Sequence, residues 1–378
     1  MHILIAPNAF KNSISATDAA AAIKEGLLQS NLPCTCECFP VADGGDGTAA
    51  LLIEKLNGIT IQAEVHDPLD RKIISTIGFI DEGNTAVIEL ADASGLRLLQ
   101  QDEYNPLHGS TAGTGEMILH ALNNGAKKII IGIGGSATVD GATGILLALG
   151  MRFLDAEKKE LPAMPESLAA LAFADASNID KRIFETEIIV LCDVENFLLG
   201  ENGAANIFGP QKGATPEDVI KLEACLSIWR DVTLSETGKD MNSIKYGGAA
   251  GGVAAGLATY LNAKLVNGID YFLDLTHFDK ALQQADLVIT GEGSIDEQTL
   301  QGKGPFGVAV KAKEKNIPVI ALAGKVPLHI SASLKKYFDV VIPINNEPLS
   351  AIIFQQTKDN LIRTAMQLGN LLSLKFGG

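Results

Sequence analysis

The chain has 378 residues, 47% of them hydrophobic, and a formal net charge of −15 with a pI near 4.9. That length buries a sizeable core and points to two domains, with room for a third; the acidity disfavours nucleic acid as a partner, because affinity for a phosphate backbone comes from Lys and Arg displacing counterions. No apolar run approaches the roughly 18–20 residues that span a bilayer, and MHILIAPNAF lacks a basic n-region, so the protein is expected to be soluble and cytoplasmic, with no membrane partner.

From the N-terminus, the strand-like HILIAP, a helix over Thr17–Leu28, a strand through CECFPV and a helix over Thr48–Leu56 give β-α-β-α order. Cys34, Cys36 and Cys38 alternate, which on a strand places all three on one face. Their spacing is not a usual zinc pair and no His lies close in sequence, so they are read as small packing residues. Between Ile59 and Leu90 two or three strands meet at turns, with DEGN at Asp81–Asn84 a hairpin turn between STIGFI and TAVIEL, and MRFLDAEKKEL suggests a second short hairpin. The last third alternates again: DLVITGEG, a helix over Pro305–Asn316, IPVIALAG, a helix over Ser331–Phe338, DVVIPI, and a closing helix from about Ser350. Short apolar strands separated by helices describe a parallel sheet covered on both faces. The expected fold class is therefore α/β: a doubly wound parallel sheet, discontinuous over residues 1–60 and 240–378, with a mixed α+β domain inserted over 61–239.

Glycines cluster at strand-to-helix junctions beside Ser, Thr and Asp. In KKIIIGIGGSATVDGATG a strand runs into Gly132, Gly134, Gly135 and Ser136, with a helix expected from about Asp140. Without a Cβ the backbone can approach an anion, and first-turn N–H groups favour negative charge. The same stretch fits the dinucleotide fingerprint, with Asp155 at a tolerable distance, so an NAD-dependent oxidoreductase is an alternative reading. Three further junctions are built alike, with Asp43 and Asp46 in VADGGDGT, Ser110, Thr111 and Thr114 in HGSTAGTGE, and Glu292, Asp296 and Lys303 in VITGEGSIDEQTLQGKGP. Each is explained alone by helix capping; four together suggest phosphate binding outside the C-terminal ends of strands.

No Gly is followed by Lys-Ser or Lys-Thr, and the protein-kinase signatures VAIK, HRD and DFG are missing, so neither a P-loop nor a protein-kinase architecture fits. Phosphoryl transfer still needs Mg2+ on phosphate oxygens, cations to offset charge and a group to accept the alcohol proton. Asp193, ending EIIVLCDVEN, and Asp296 are candidates for metal or proton; Lys11, Lys212 and Lys303, in Gly- or Ser-rich loops, are candidates for phosphate or carboxylate. His108 abuts the Ser110 loop, and the other histidines stand in no constellation.

The segments APNAFKNSISA, ADGGDGT, ASGL, NPLHGSTAGTGE, GIGGSATVDGATG, CDVENFLLGENGAANIFGPQKGA, GGAAGGVAAGL and DLVITGEGSIDEQTLQGKGPFGVA occur in that order. Together they make the chain resemble the bacterial class I glycerate kinase family over essentially its whole length. It departs from the commonest pattern at Asn8-Ala9, where many members have Asp-Ser, at Val139, where Asn is usual, and at Phe197, where Pro is common. The resemblance implies ATP and Mg2+ as cosubstrates and D-glycerate as acceptor. It also implies two α/β domains, one flavodoxin-like, that close over a cleft, and 2-phosphoglycerate as product. On that basis Asp193 or Asp296 orients the hydroxyl or holds Mg2+, Lys11 and Lys212 counter phosphate or carboxylate charge, and the Gly134-Gly135-Ser136 turn cradles an anion. Ser13, Asp43, Asp46, Ser110, Thr111, Asp140, Glu292 and Lys303 complete the expected substrate- and phosphate-binding set.

Overall fold

The computed structural model describes residues 1–11, 13–162, 164–345 and 356–374. Among them run β1 (His2–Ile5), β2 (Thr35–Cys38), β3 (Ile59–His66), β4 (Lys72–Ile80), β5 (Thr85–Glu89), β6 (Lys128–Gly132), β7 (Arg152–Leu154), β8 (Phe173–Asp175), β9 (Glu187–Cys192), β10 (Lys264–Asn267), β11 (Leu287–Ser294), β12 (Val319–Lys325) and β13 (Val340–Pro343). The chain divides into two compact units, Met1–Asp43 with Gly268–Gly378, and Gly44–Asn267. The boundaries thus fall at 43/44 and 267/268, where the sequence suggested about 60 and 240. The reason is packing: the helix Thr48–Lys55 lies on β4 and β5, and the helix Ala249–Leu261 feeds β10, so both side with the second unit.

The first unit holds an all-parallel sheet ordered β2-β1-β11-β12-β13. Counted along this unit the order is 2-1-3-4-5, the flavodoxin arrangement, which reverses direction between β1 and β11. Its central strands read as unbroken apolar runs because both faces are covered; Ile3, Leu4, Ile5, Val288 and Ile289 are all fully buried. The helix Ala16–Leu28 begins where the Ser15 hydroxyl accepts from the Asp18 N–H at 3.0 Å. It packs on the closing helix Thr357–Ser373 so tightly that a Cβ on Gly26 would stand 2.2 Å from the Ile362 carbonyl. The start expected for that closing helix, near Ser350, lies outside the described residues. Cys34, Cys36 and Cys38 are half-buried against the same core, as the alternation implied.

The second unit is mixed. Its six-stranded sheet runs β10-β9-β6-β5-β4-β3, parallel from β10 to β5 and antiparallel from β5 to β3. The hairpin turn at Asp81–Asn84 joins β4 to β5 with Ile80 opposite Thr85. The second expected hairpin is present in short form: Asp155 accepts from the Glu157 and Lys159 N–H groups, Leu154 bridges antiparallel to Glu160, and Leu161 N–H donates to the Phe153 carbonyl at 2.8 Å; β7 also pairs along its length with β8, about twenty residues on. A helix that the sequence pattern does not announce, Pro216–Thr237, is capped by Thr215 with Pro216 in its first turn. It buries Trp229, which stacks on Tyr260 with ring centroids 5.2 Å apart. No helix among the described residues is long and apolar enough to cross a membrane.

Candidate active site

In the first unit, β1 ends at Ile5 and the chain continues beside β11: Ala6 N–H donates to the Ile289 carbonyl at 2.7 Å and Asn8 N–H to that of Gly291 at 2.8 Å. This is the point where strand order reverses, and the place where such sheets bind ligands. The Asn8 amide donates to Asp43 Oδ2 at 2.8 Å, and the Gly304 N–H reaches the same oxygen at 3.2 Å. An aspartate at position 8 would set two carboxylates against each other at that distance; the amide turns the contact into a hydrogen bond. A Cβ at Gly304 would lie 2.8 Å from the Asn8 amide nitrogen, so any larger residue there would press on that side chain.

Glu292, near the end of β11, is 7% exposed. Its Oε1 accepts from the Thr299 hydroxyl at 3.0 Å. Burial pushes its carboxyl up to about 7; Lys303, the Thr299 hydroxyl and Lys11 pull it down, and Asp43 adds to the rise. Asp296 is occupied differently. It caps the short turn Glu297–Gln301, Oδ1 accepting from Gln298 N–H at 2.9 Å and Oδ2 from the Ser294 hydroxyl at 3.3 Å. Lys303 precedes the helix Gly304–Glu314 at its cap position, Lys11 is exposed, and the Ser13 hydroxyl donates to that of Thr357 at 2.6 Å.

In the second unit the glycine-rich segments converge on one loop, residues 133–142 after β6. The helix expected from Asp140 begins only at Thr143, because Gly141 and Ala142 take left-handed backbone, φ 60° and 70°. The turn is strapped by the ASGL segment: Leu96 N–H donates to the Gly135 carbonyl at 3.0 Å, and Ala137 N–H to that of Ser94 at 2.9 Å. Gly134 serves as a packing position, its N–H donating to the Gly44 carbonyl at 3.0 Å and its Cα facing Gly45, where a Cβ would meet backbone at 2.5 Å. Gly135 is exposed beside Asp46, which is itself exposed.

Two buried ionisable groups hold this loop. Asp140 accepts from Thr111 N–H (2.9 Å), the Thr111 hydroxyl (2.6 Å), Ala142 N–H (3.2 Å) and Gly144 N–H (3.1 Å). Burial raises its pKa against the pull of those four donors. Lys212 is buried too, its Nζ donating to Ser136 Oγ at 2.7 Å and the Thr138 carbonyl at 2.6 Å. Burial lowers its pKa to about 7, the attraction of Asp140 opposing the fall. A neutral amine carries two N–H groups, as many as the acceptors it meets. From behind, Trp229 Nε1–H donates to the Gly141 carbonyl at 3.2 Å. Ser110 Oγ accepts from Ala112 N–H at 3.2 Å, and Asp193, half-exposed, follows the end of β9. His108 pairs with Glu166 at 3.1 Å.

Residues 3–373 match the Glycerate kinase family. The chain belongs to the glycerate kinase family. It is 42% identical to a glycerate kinase of Haemophilus influenzae over the full length of both proteins, and 38% identical to the glycerate 2-kinase of Escherichia coli over 99% of this chain and 98% of the other. A crystal structure from Salmonella typhimurium LT2, described as glycerate kinase 2, superposes with a TM-score of 0.82 over 98% of each chain at 39% identity. The chain is thus a kinase, an enzyme class that takes ATP as cosubstrate.

Within this glycerate kinase fold the dinucleotide alternative dissolves. A dinucleotide turn passes at once from strand to helix, whereas here residues 133–142 separate β6 from its helix. Asp155 follows β7, whose partner is β8, while β6 lies between β5 and β9, so Asp155 is not on the strand next to the glycine turn. Mg2+ fits a family member of this design as an ion arriving with the nucleotide, since it is commonly held by one or two carboxylates plus substrate phosphates. Asp193 and Asp296 are the carboxylates the sequence nominates for it, and Asp296 also caps the turn that follows it. Sequence reasoning missed Asn8 as the partner of Asp43, and Glu89, buried at the end of β5, whose oxygens accept from Gly47 N–H at 2.7 Å and Ala49 N–H at 3.2 Å. The one signal for Glu89 was an acid closing the apolar run TAVIE.

Proposed function

We propose that this chain transfers the γ-phosphoryl group of MgATP to D-glycerate, giving 2-phosphoglycerate. The observation that carries the reading is its 38% identity, over nearly the whole of both chains, to a protein named glycerate 2-kinase. The first unit supports it chemically: a buried carboxylate, Glu292, stands at the switch point with the charges of Lys303 and Lys11 acting on it, a combination suited to a small anionic alcohol. Lys303 and Lys11 would counter the glycerate carboxylate or the phosphoryl group, with Ser13 in the same segment as Lys11. Asp193, or Asp296 through whatever valence its cap leaves, would meet the magnesium. In the second unit Gly135, Asp46 and Ser110 sit at the accessible rim of the glycine loop, while Lys212, Ser136, Thr111 and Asp140 fix its shape.

The test is coupled detection of ADP with MgATP and D-glycerate, the position of phosphate on the product being read by NMR. ADP release dependent on D-glycerate, with phosphorus coupled to the single C2 proton, is the expected result. Coupling to the two C3 protons would overturn the product assignment alone. Folded, ATP-binding protein that releases no ADP with D-glycerate would overturn the substrate.

A further inference from the structure

We propose that Glu292 is the proton acceptor of the reaction, taking the proton of the substrate hydroxyl on Oε2 as that hydroxyl oxygen attacks the γ-phosphorus; this role rests on the glycerate kinase reading above. The hydroxyl O–H bond breaks with its proton passing to Glu292, an O–P bond forms, and the bond from phosphorus to the bridging oxygen breaks with its electron pair leaving on ADP. Glu292 then returns the proton to solvent.

The buried carboxylates among the described residues, Asp43, Asp67, Glu89, Asp140 and Glu292, differ in how their oxygens are spent. Asp140 accepts from four donors. Asp67 accepts from Leu69 and Arg71 N–H on one oxygen and from the Arg71 guanidinium on the other. Glu89 uses both oxygens on backbone N–H groups, and Asp43 accepts on Oδ2 from both the Asn8 amide and the Gly304 N–H. Glu292 differs: Thr299 fixes Oε1, and Oε2 has no hydrogen-bond partner among the described residues. A carboxylate anchored at one oxygen and open at the other, at the ligand-binding end of a parallel sheet, has the geometry of a general base. Its surroundings match the role. The charged groups acting on it are Lys303, Asp43 and Lys11, and with burial they set it to about 7, so that near neutral pH it exchanges a proton readily and its ionised form is basic enough to accept one. Asp43 is a positioning residue here, its negative charge holding Glu292 up.

The experiment is the pH profile of kcat in the full-length enzyme and in Glu292→Gln. The parent should lose turnover below an apparent pKa near 7, because a protonated acid accepts nothing. Glu292→Gln should lower kcat by about 10²–10⁴-fold, abolish that acid limb, and leave the dissociation constants of MgATP and D-glycerate within about threefold. Asp43→Asn should move the limb to lower pH. Glu292→Gln that binds both substrates and keeps more than a tenth of parental turnover with the limb intact overturns the assignment while leaving the kinase reading untouched. A parent enzyme inert toward D-glycerate overturns both together. Should Glu292→Gln fail to fold, Glu292→Asp serves: a retained acid limb with reduced kcat supports the base, and unaltered kcat opposes it.

Discussion

The two units each bury ionisable groups beside glycine-rich loops, but they treat them in opposite ways. In the loop after β6, Asp140 and Lys212 are saturated: four donors surround the acid and two acceptors meet the amine. At the switch point of the flavodoxin-like sheet, Glu292 has one oxygen tied and one open. A buried charge whose bonds are all spent within the protein fixes backbone, because any movement orphans several partners at once. A buried charge with unspent capacity is available to a ligand. The contrast separates groups that shape a site from groups that act in one, although composition and burial look alike.

The strongest way to break this contrast is Asp140→Ala, which leaves the Thr111, Ala142 and Gly144 N–H groups without their acceptor. A loss of about 3–5 kcal/mol in denaturant unfolding is expected, against little loss of stability for Glu292→Gln. Equal losses would erase the distinction. Lys212→Ala should cost somewhat less, about 2–4 kcal/mol, and should raise amide exchange in residues 136–142 selectively. Unchanged exchange there would show that Lys212 does not hold the loop.

The pH dependence of stability sharpens the other side. The Glu292 carboxyl is raised from 4.5 to about 7 on folding, so its contribution is fully present below pH 4.5 and is lost as pH rises through about 7. Glu292→Gln should therefore gain on its parent across that window, by on the order of 2 kcal/mol at about pH 8, and unfolding curves below and above the window measure it. A gap that does not widen with pH would mean that Glu292 is not desolvated. The smallest effect is expected for Asp296→Asn. Asn caps as well as Asp, so stability should stay within about 0.5 kcal/mol and kcat within tenfold. A larger fall in kcat, relieved by raising Mg2+, would assign Asp296 to the metal in addition to its cap.

The sequence carried the architecture well where signals were local. Apolar runs alternating with helices announced the parallel sheet of the first unit, and DEGN marked the β4–β5 turn at its true position. The short hairpin after β7 was legible, but the further pairing of β7 with β8 was not, because register across about twenty residues is decided by which apolar faces meet. The long helix Pro216–Thr237 escaped notice because its apolar residues do not form a clean stripe; its place is set by Trp229 filling the space behind Gly141.

For the site, sequence by itself determined which residues are candidates: eight ordered motifs nominated Asp43, Glu292, Asp140, Lys212 and the glycines around them, and residue type limits what each can donate or accept. Only the tertiary structure decided their roles. Whether an acid is a cap, a staple or a base depends on how many hydrogen bonds reach it and how much water is excluded, and both are set by segments far apart in the chain. Glycine at 304 brings a backbone N–H to Asp43 across 261 positions, and Lys212 finds Ser136 across 76. Charge and chemistry are properties of a residue; desolvation and saturation are properties of the fold around it.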